Sequence, residues 1–194
     1  MDLSPVVLEG QRVRLVPLEA GHFDALCAVG LDPDLWRWTA GHVDSPEAMR
    51  AYIDKALRLR AAGEALPFAV VEKASGTVVG CTRYGAIAPE HLRLALGWTW
   101  YGARWQGAGP NPAATYLPLR HAFDVLGCIR VELKTDVLNA RSRRAILGIG
   151  ATEEGVLRRH IVTSTGRVRD TVLFSIVDHD WPDVRRRLEA RLRR

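Results

Sequence analysis

At 194 residues, with 47% apolar, 25% charged and 7% aromatic side chains, the chain has the composition of a globular protein with enough interior to fold without disulfide or metal staples. That excludes collagen-like, disordered and disulfide-scaffold classes. The net charge of +5 is uneven: residues 1–100 hold 10 Lys and Arg against 12 Asp and Glu, while 101–194 hold 17 against 10, so the second half suits an anionic partner such as a phosphate on a cofactor or a nucleic acid.

RVRLVPL at residues 12–18 alternates polar and apolar side chains and predicts a strand, and 19–29 carry apolar residues at helical spacing. After the turn LDPDLWRWTAGHVDSP, Ser45 is placed to cap a helix with Pro46 at its first position; Met49, Ile53, Ala56 and Leu57 make one face, ending near Gly63. Three strand-like runs start at Pro67, Thr77 and His91 and suit an antiparallel meander. The turn RWQGAGPNP opens a helix predicted over 110–126, IRVELKTD from Ile129 reads as a strand, and a further helix starts at Asn139. Strands over 152–162 and 168–177 and a last helix from about Trp181, with Val184, Leu188 and Leu192 on one face, complete the chain.

This order combines a meander with a βαβ crossover. The fold class is therefore α/β (α+β), with a mixed, mostly antiparallel sheet of about seven strands and helices on both faces. One domain over 1–194 is expected, since no repeat, low-complexity tract or linker interrupts the chain. Pro118 falls about two turns inside a predicted helix, opposite the Ala114 carbonyl, and predicts a kink there, at a cost of ~3 kcal/mol. Cys27, Cys81 and Cys128 lack metal-ligand or disulfide spacing and read as small, buried, reduced residues. No apolar run is long enough to span a membrane and MDLSPVVLEGQ lacks the pattern of a secretion signal, so a cytoplasmic location is expected.

In RWQGAGPN, a glycine-bearing turn before a helix can offer consecutive backbone N–H groups to a pyrophosphate. Together with WYGARWQGAGPNPAA, the segment GCIRVELKTDVLNARSRRAILGIGATEEGVLRRH resembles the Gcn5-related N-acetyltransferases (GNAT), in the ribosomal-protein N-terminal acetyltransferase branch of RimJ/RimL type. The resemblance extends from LEGQRVRLVPLEAGHFDAL to RDTVLFSI and Trp181-Pro182, with its core over 101–151. It implies the GNAT fold with a splayed parallel strand pair, acetyl-CoA as cosubstrate, no metal, and a homodimer. It also implies direct acetyl transfer to a primary amine, first the N-terminal amine of a ribosomal protein and otherwise a small-molecule amine.

The family pattern Q/R-x-x-G-x-G/A falls on Gln106, Gly109 and Asn111, with Asn111 in place of the last small residue. Backbone N–H groups of Gln106, Gly107, Ala108, Gly109 and Asn111 are thereby implied to hold the pyrophosphate; Pro110 and Pro112 have none to give. The pantetheine arm is implied to run between strands 94–101 and IRVELKTD, along Trp98, Thr99, Trp100 and Tyr101, although Trp98 and Trp100 could equally pack the core. Asn139 is implied to bind the pantetheine amides and Ser142, in N-A-R-S, to serve the leaving thiolate; helix capping is the alternative for both.

The usual acids and bases are missing: 94–101 contain no carboxylate, and Ile146 stands where many members have tyrosine. His160 is then the candidate base, with Asp136 a second choice, and Arg169-Asp170 reads as an ion pair in the sheet. Trp36, Trp38 and His42 are candidates for binding the acceptor, or Trp36 and Trp38 seal the core; Arg141, Arg143 and Arg144 could meet phosphate. Two rival readings are a non-catalytic acyl-CoA-binding module and a nucleic-acid-binding domain. Against the second, the basic terminal helix interleaves only Trp181.

Overall fold

The structure, a computed structural model, describes residues 1–106 and 111–193. Eight strands form one sheet: β1 (Leu8–Glu9), β2 (Val13–Pro17), β3 (Leu66–Glu72), β4 (Val78–Ala88), β5 (Arg93–Tyr101), β6 (Arg130–Asp136), β7 (Thr152–Val162) and β8 (Val168–Val177), in the order β1-β2-β3-β4-β5-β6-β8-β7. The helices are α1 (Phe23–Gly30), α2 (Pro46–Ala61), α3 (Asn111–Arg120), α4 (Ala140–Ile149) and α5 (Trp181–Leu192). The strand beyond the expected seven is β1, two residues too short for a hydrophobic period to reveal; it joins by pairing Leu8 with Leu15.

All neighbouring strands run antiparallel except β5 and β6. One core lies between the sheet and α3 and α5, through Leu117, Leu119, Trp181, Val184 and Leu188 against Leu66, Phe68, Val131 and Phe174. The other lies under α1 and α2, through Leu26, Met49, Ile53 and Ala56 against Ala69, Cys81 and Trp100. With helices on both faces, β3 is buried from Leu66 to Val71, so its residues read as a continuous apolar run.

Local chemistry sets the helix ends. Ser45 Oγ accepts from the Ala48 N–H at 3.2 Å with Pro46 in the first turn of α2, and Asn139 Oδ1 accepts from the Ser142 N–H at 3.0 Å at the start of α4. Gly150, with φ of 101°, closes α4 in a conformation that side chains disfavour. At Pro118, where a kink is expected, α3 continues to Arg120, and the winding changes after it, at His121–Val125, into a π turn. Pro118 has no N–H for the Ala114 carbonyl, and its own carbonyl accepts from the buried Tyr84 hydroxyl at 2.5 Å. Burial pushes the Cys81 thiol up to about 12 and the Cys128 thiol to about 11, while Cys27 is half-buried rather than buried as expected. Among the described residues, no helix is long and apolar enough to cross a membrane.

Candidate active site

The opening that positions a site is made by the one parallel pair. β5 and β6 pair only through Arg93–Arg130, Leu94–Val131 and Ala95–Glu132, and then diverge while each strand continues, to Tyr101 and to Asp136. A β-bulge in β5 follows the last of these pairs: Cys81 pairs with Trp100 and Arg83 with Gly97, so Thr82 alone faces Trp98 and Thr99. The Thr82 and Thr99 hydroxyls bond to each other at 2.8 Å, and Trp98 takes a left-handed φ of 51°, a strained value for a residue with a side chain. Beyond the last paired residues the two strands leave each other's backbone groups unbonded, an opening that fits a narrow arm carrying amides.

The bulge sorts the four residues expected along the arm. Trp98 and Thr99 are exposed. Trp100 turns instead into the α1/α2 core, its ring 5.2 Å from that of Trp36, with Nε1 donating to the Tyr52 hydroxyl at 3.2 Å. Tyr101 turns to the other face, where its hydroxyl is buried without a partner among the described residues and burial pushes it well above the usual phenol range. Of the two readings for Trp100, the structure places it in the core, because the extra residue of the bulge resets which side chains face the helices.

Gln106 ties the end of β5 to the start of α4. Its Nε2 donates to the Tyr101 carbonyl at 3.2 Å and its Oε1 accepts from Arg141 at 2.5 Å. Gly107, Ala108 and Gly109 lie outside the described residues, and of Asn111 only its place at the start of α3 is described. Asn139 caps α4 as its residue type allows, with its amide nitrogen unpartnered among the described residues. Ser142 is half-buried in the first turn of that helix, and its hydroxyl likewise has no partner among the described residues. Arg143 is engaged with Glu153 at 3.3 Å and Arg144 is exposed.

The candidate base does not join this group. His160 is exposed on β7, the last strand of the sheet, in a bulge between Leu157 and Ile161, and β8 separates it from β6 and hence from the opening. Asp136 is fully buried at the end of β6; it is ion-paired to Arg167, lies 3.9 Å from Arg169 Nε, and accepts from the Leu138 N–H at 2.9 Å. A carboxylate so occupied is a structural hub. The ion pair expected between Arg169 and Asp170 is replaced by this one, since Asp170 turns outward to accept from the Arg159 N–H at 2.6 Å.

The acceptor candidates divide in the same way. Trp36 is buried, with Nε1 donating to the Gly30 carbonyl at 2.8 Å, and seals the core. Trp38 is half-buried where the segment between α1 and α2 meets the β7–β8 hairpin: Arg167 lies 5.5 Å from its ring, Arg169 donates to its carbonyl at 3.4 Å, and the Ser164 N–H donates to Ala40 at 2.9 Å. His42 lies beside Asp44 at 3.4 Å. Sequence reasoning passed over Arg83, buried in the middle of β4 beneath Trp98 and Tyr52. The available signal was a lone cation inside the apolar run TVVGCTRYGAI.

This arrangement has relatives of known structure. A T. thermophilus protein provisionally assigned as an acetyltransferase is 38% identical, with 99% of this chain and 100% of that one covered and a TM-score of 0.88. A GCN5-related N-acetyltransferase from Brucella melitensis is 33% identical over 97% of this chain and 86% of its own, also with a TM-score of 0.88. RimJ of Mycobacterium smegmatis, in complex with CoA-disulfide, shares the fold at 23% identity, with coverage of 97% and 95% and a TM-score of 0.84. No curated protein matches the sequence. The model of the acetyltransferase (GNAT) domain matches residues 12–152, which include the bulged strand, its splayed partner and the start of α4, and the chain belongs to the GNAT family of N-acetyltransferases.

Proposed function

We propose that residues 1–194 form one acetyltransferase domain that transfers acetyl from acetyl-CoA directly to a primary amine, with the N-terminal amine of a protein as acceptor. The observation that carries this reading is the opening between β5 and β6, flanked by the Gln106–Arg141 link and by the first turn of α4. Acetyl-CoA, which GNAT enzymes use, supplies an acetyl group activated as a thioester. The chain's own residues orient and stabilise. Backbone groups of β5 beyond Ala95 line one side of the arm, and Asn139 offers its free amide nitrogen at the start of α4. The positive end of the α4 helix and the Ser142 hydroxyl stabilise the departing sulfur.

In the transfer an amine nitrogen attacks the acetyl carbon, the C–N bond forms as the C–S bond breaks, the nitrogen releases a proton to water, and the sulfur leaves as a thiolate that accepts a hydrogen bond from the Ser142 hydroxyl and takes its proton from water. At pH 7 about one-tenth of an N-terminal amine, with an ordinary pKa near 8, is uncharged, whereas for a lysine amine near 10.4 the uncharged fraction is below about one in a thousand. That difference suits a site whose opening has no carboxylate base on β5 and whose one candidate histidine stands beyond β8. The RimJ/RimL resemblance favours a protein N-terminus. A small-molecule amine is the second reading, favoured by the open, side-chain-free position at Gly97.

Calorimetric titration with acetyl-CoA and then CoA, in moderate salt, tests the cosubstrate. Release of free thiol with peptides beginning in Ser or Ala, and then with small amines, tests the acceptor. Saturable binding at one per chain and turnover of the peptides are expected. Binding without turnover of any amine would favour a non-catalytic acyl-CoA module, and no binding would overturn the reading.

A further inference from the structure

Among the charges on the α1/α2 face of the sheet, Arg83 is unusual. It is only 4% exposed, and no carboxylate pairs with it among the described residues. Its guanidinium lies 5.1 Å from the Tyr52 ring of α2 and 5.2 Å from the Trp98 ring of β5. Interior cations are ordinarily paired, because the hydration they lose is expensive, and aromatic faces compensate only a fraction of it.

The surroundings are built like a receptor for a partner. Arg83 lines a groove between the end of α2 and the turn after it, at Leu59 and Gly63, and the strand residues Gly85, Ile87 and Trp98. Glu64 stands on the rim of that groove, exposed, and makes no ion pair with Arg83 among the described residues. Trp98 is 50% exposed, yet its ring is held against Gly85, where an added Cβ would come within 2.6 Å of the indole. The residue paired with Arg83 across the two strands is Gly97, just past the last β5–β6 pair, and a Cβ there would meet nothing within 4 Å. A cation flanked by two aromatic rings, one of them lining the groove, and a vacant position thus lie on one face beside the last β5–β6 pair.

We propose that Arg83 is a substrate-binding residue that receives a carboxylate of the acceptor, with Trp98 as a wall of its groove and Tyr52 backing the guanidinium, and thereby sets the acceptor amine over Gly97 beside the opening. This rests on the acetyltransferase reading and narrows its substrate class to amines that carry a carboxylate. The planar guanidinium can bind a carboxylate through two parallel hydrogen bonds, which fixes orientation as well as charge. The carboxylate can come from an acidic side chain near a peptide N-terminus or from a free amino acid.

Matched acceptors separate these sources. Thiol release is measured with acetyl-CoA and a Ser-Glu peptide against its Ser-Gln counterpart, and with β-alanine against β-alaninamide. In the wild-type protein kcat/KM should be at least about tenfold higher for the acid than for the amide in one pair, and that pair identifies the source. In Arg83→Gln the ratio should fall to near one, and Arg83→Lys should restore part of it. A wild-type ratio near one in both pairs, with the amides turned over, would overturn the assignment while leaving the acetyltransferase reading intact. The CoA-loaded protein is also titrated calorimetrically with the N-acetyl products of the same pairs, which reads the site without turnover. Preferential binding of the acid product, lost in Arg83→Gln, supports the assignment; equal binding or none refutes it. Failure to bind acetyl-CoA or CoA at all would instead refute the reading on which it rests.

Discussion

Replacing Asp136 by Asn tests whether the end of β6 is held to the β7–β8 hairpin by charge. Asparagine keeps the shape and the acceptor for the Leu138 N–H, but removes the counter-charge of Arg167 and of Arg169, whose guanidinium burial already pulls below its usual value while Asp136 opposes the shift. At the 3.9 Å that separates Asp136 from Arg169, and at an effective dielectric of about 20, the attraction is about 4 kcal/mol. The Arg167 side chain is 33% exposed, so water takes over much of its share and adds at most about 1 kcal/mol. Asparagine recovers part of this through neutral hydrogen bonds. A net loss of about 3 kcal/mol is therefore expected, in the range for removing one partner of a buried pair.

Urea unfolding measures this loss: with a slope of about 3 kcal/mol per molar for a chain of this size, the midpoint should fall by about 1 M. Because Arg167 and Arg169 also touch Trp38, the acceptor KM should rise while acetyl-CoA affinity holds. A paired substitution, Asp136→Leu with Arg169→Met, removes both charges and should recover most of the midpoint. A midpoint shift below about 0.3 M in Asp136→Asn, or a double variant no better than the single one, would refute the reasoning.

Gly97→Val should cost about 1 kcal/mol or less of stability, because a Cβ there meets nothing within 4 Å, but should lower kcat/KM for acetyl transfer at least about tenfold by occupying the face beside the opening where the amine is proposed to sit; thermal melts and thiol release read the two separately. Ser142→Ala should lower kcat several-fold with little change in acetyl-CoA affinity, and wild-type kinetics would remove the hydroxyl from the reaction. Asn139→Ala should cost about 1 kcal/mol by uncapping α4, lowering the melting temperature by a few degrees. Glu154 is held at about 2, chiefly by the hydrogen bond from Arg130. A folded-state value below the unfolded one stabilises above about pH 5 and is lost as pH falls toward 2, so Glu154→Gln should flatten the stability profile over that window; an unchanged acid slope in thermal melts would count against the pair.

The order of strands and helices was legible because each element announces itself locally. Ser45 and Pro46 mark the start of α2, Asn139 that of α4, and Val184, Leu188 and Leu192 face inward from α5. The motif around Gln106 and N-A-R-S was legible because its members are neighbours in sequence, which also brought the family within reach. What escaped was short or non-local. β1 is two residues long and exists only because Leu15 lies opposite Leu8. Placing His160 near the opening failed because β8 inserts between β6 and β7, a fact of strand order and not of composition.

Periodicity, caps and contiguous motifs carry the elements, the two apolar faces and the kind of chemistry, and all of these can be read along the chain. Where each candidate side chain lies was decided by packing alone. One extra residue in β5 turned Trp100 into the core and left Trp98 exposed, pairing gave Asp136 to Arg167 instead of to a substrate, and the packing of α2 on the sheet put Tyr52 against Arg83. Such partners are far apart in sequence, and the energy of a buried charge or a bulged strand depends on what stands opposite it, which no local pattern records.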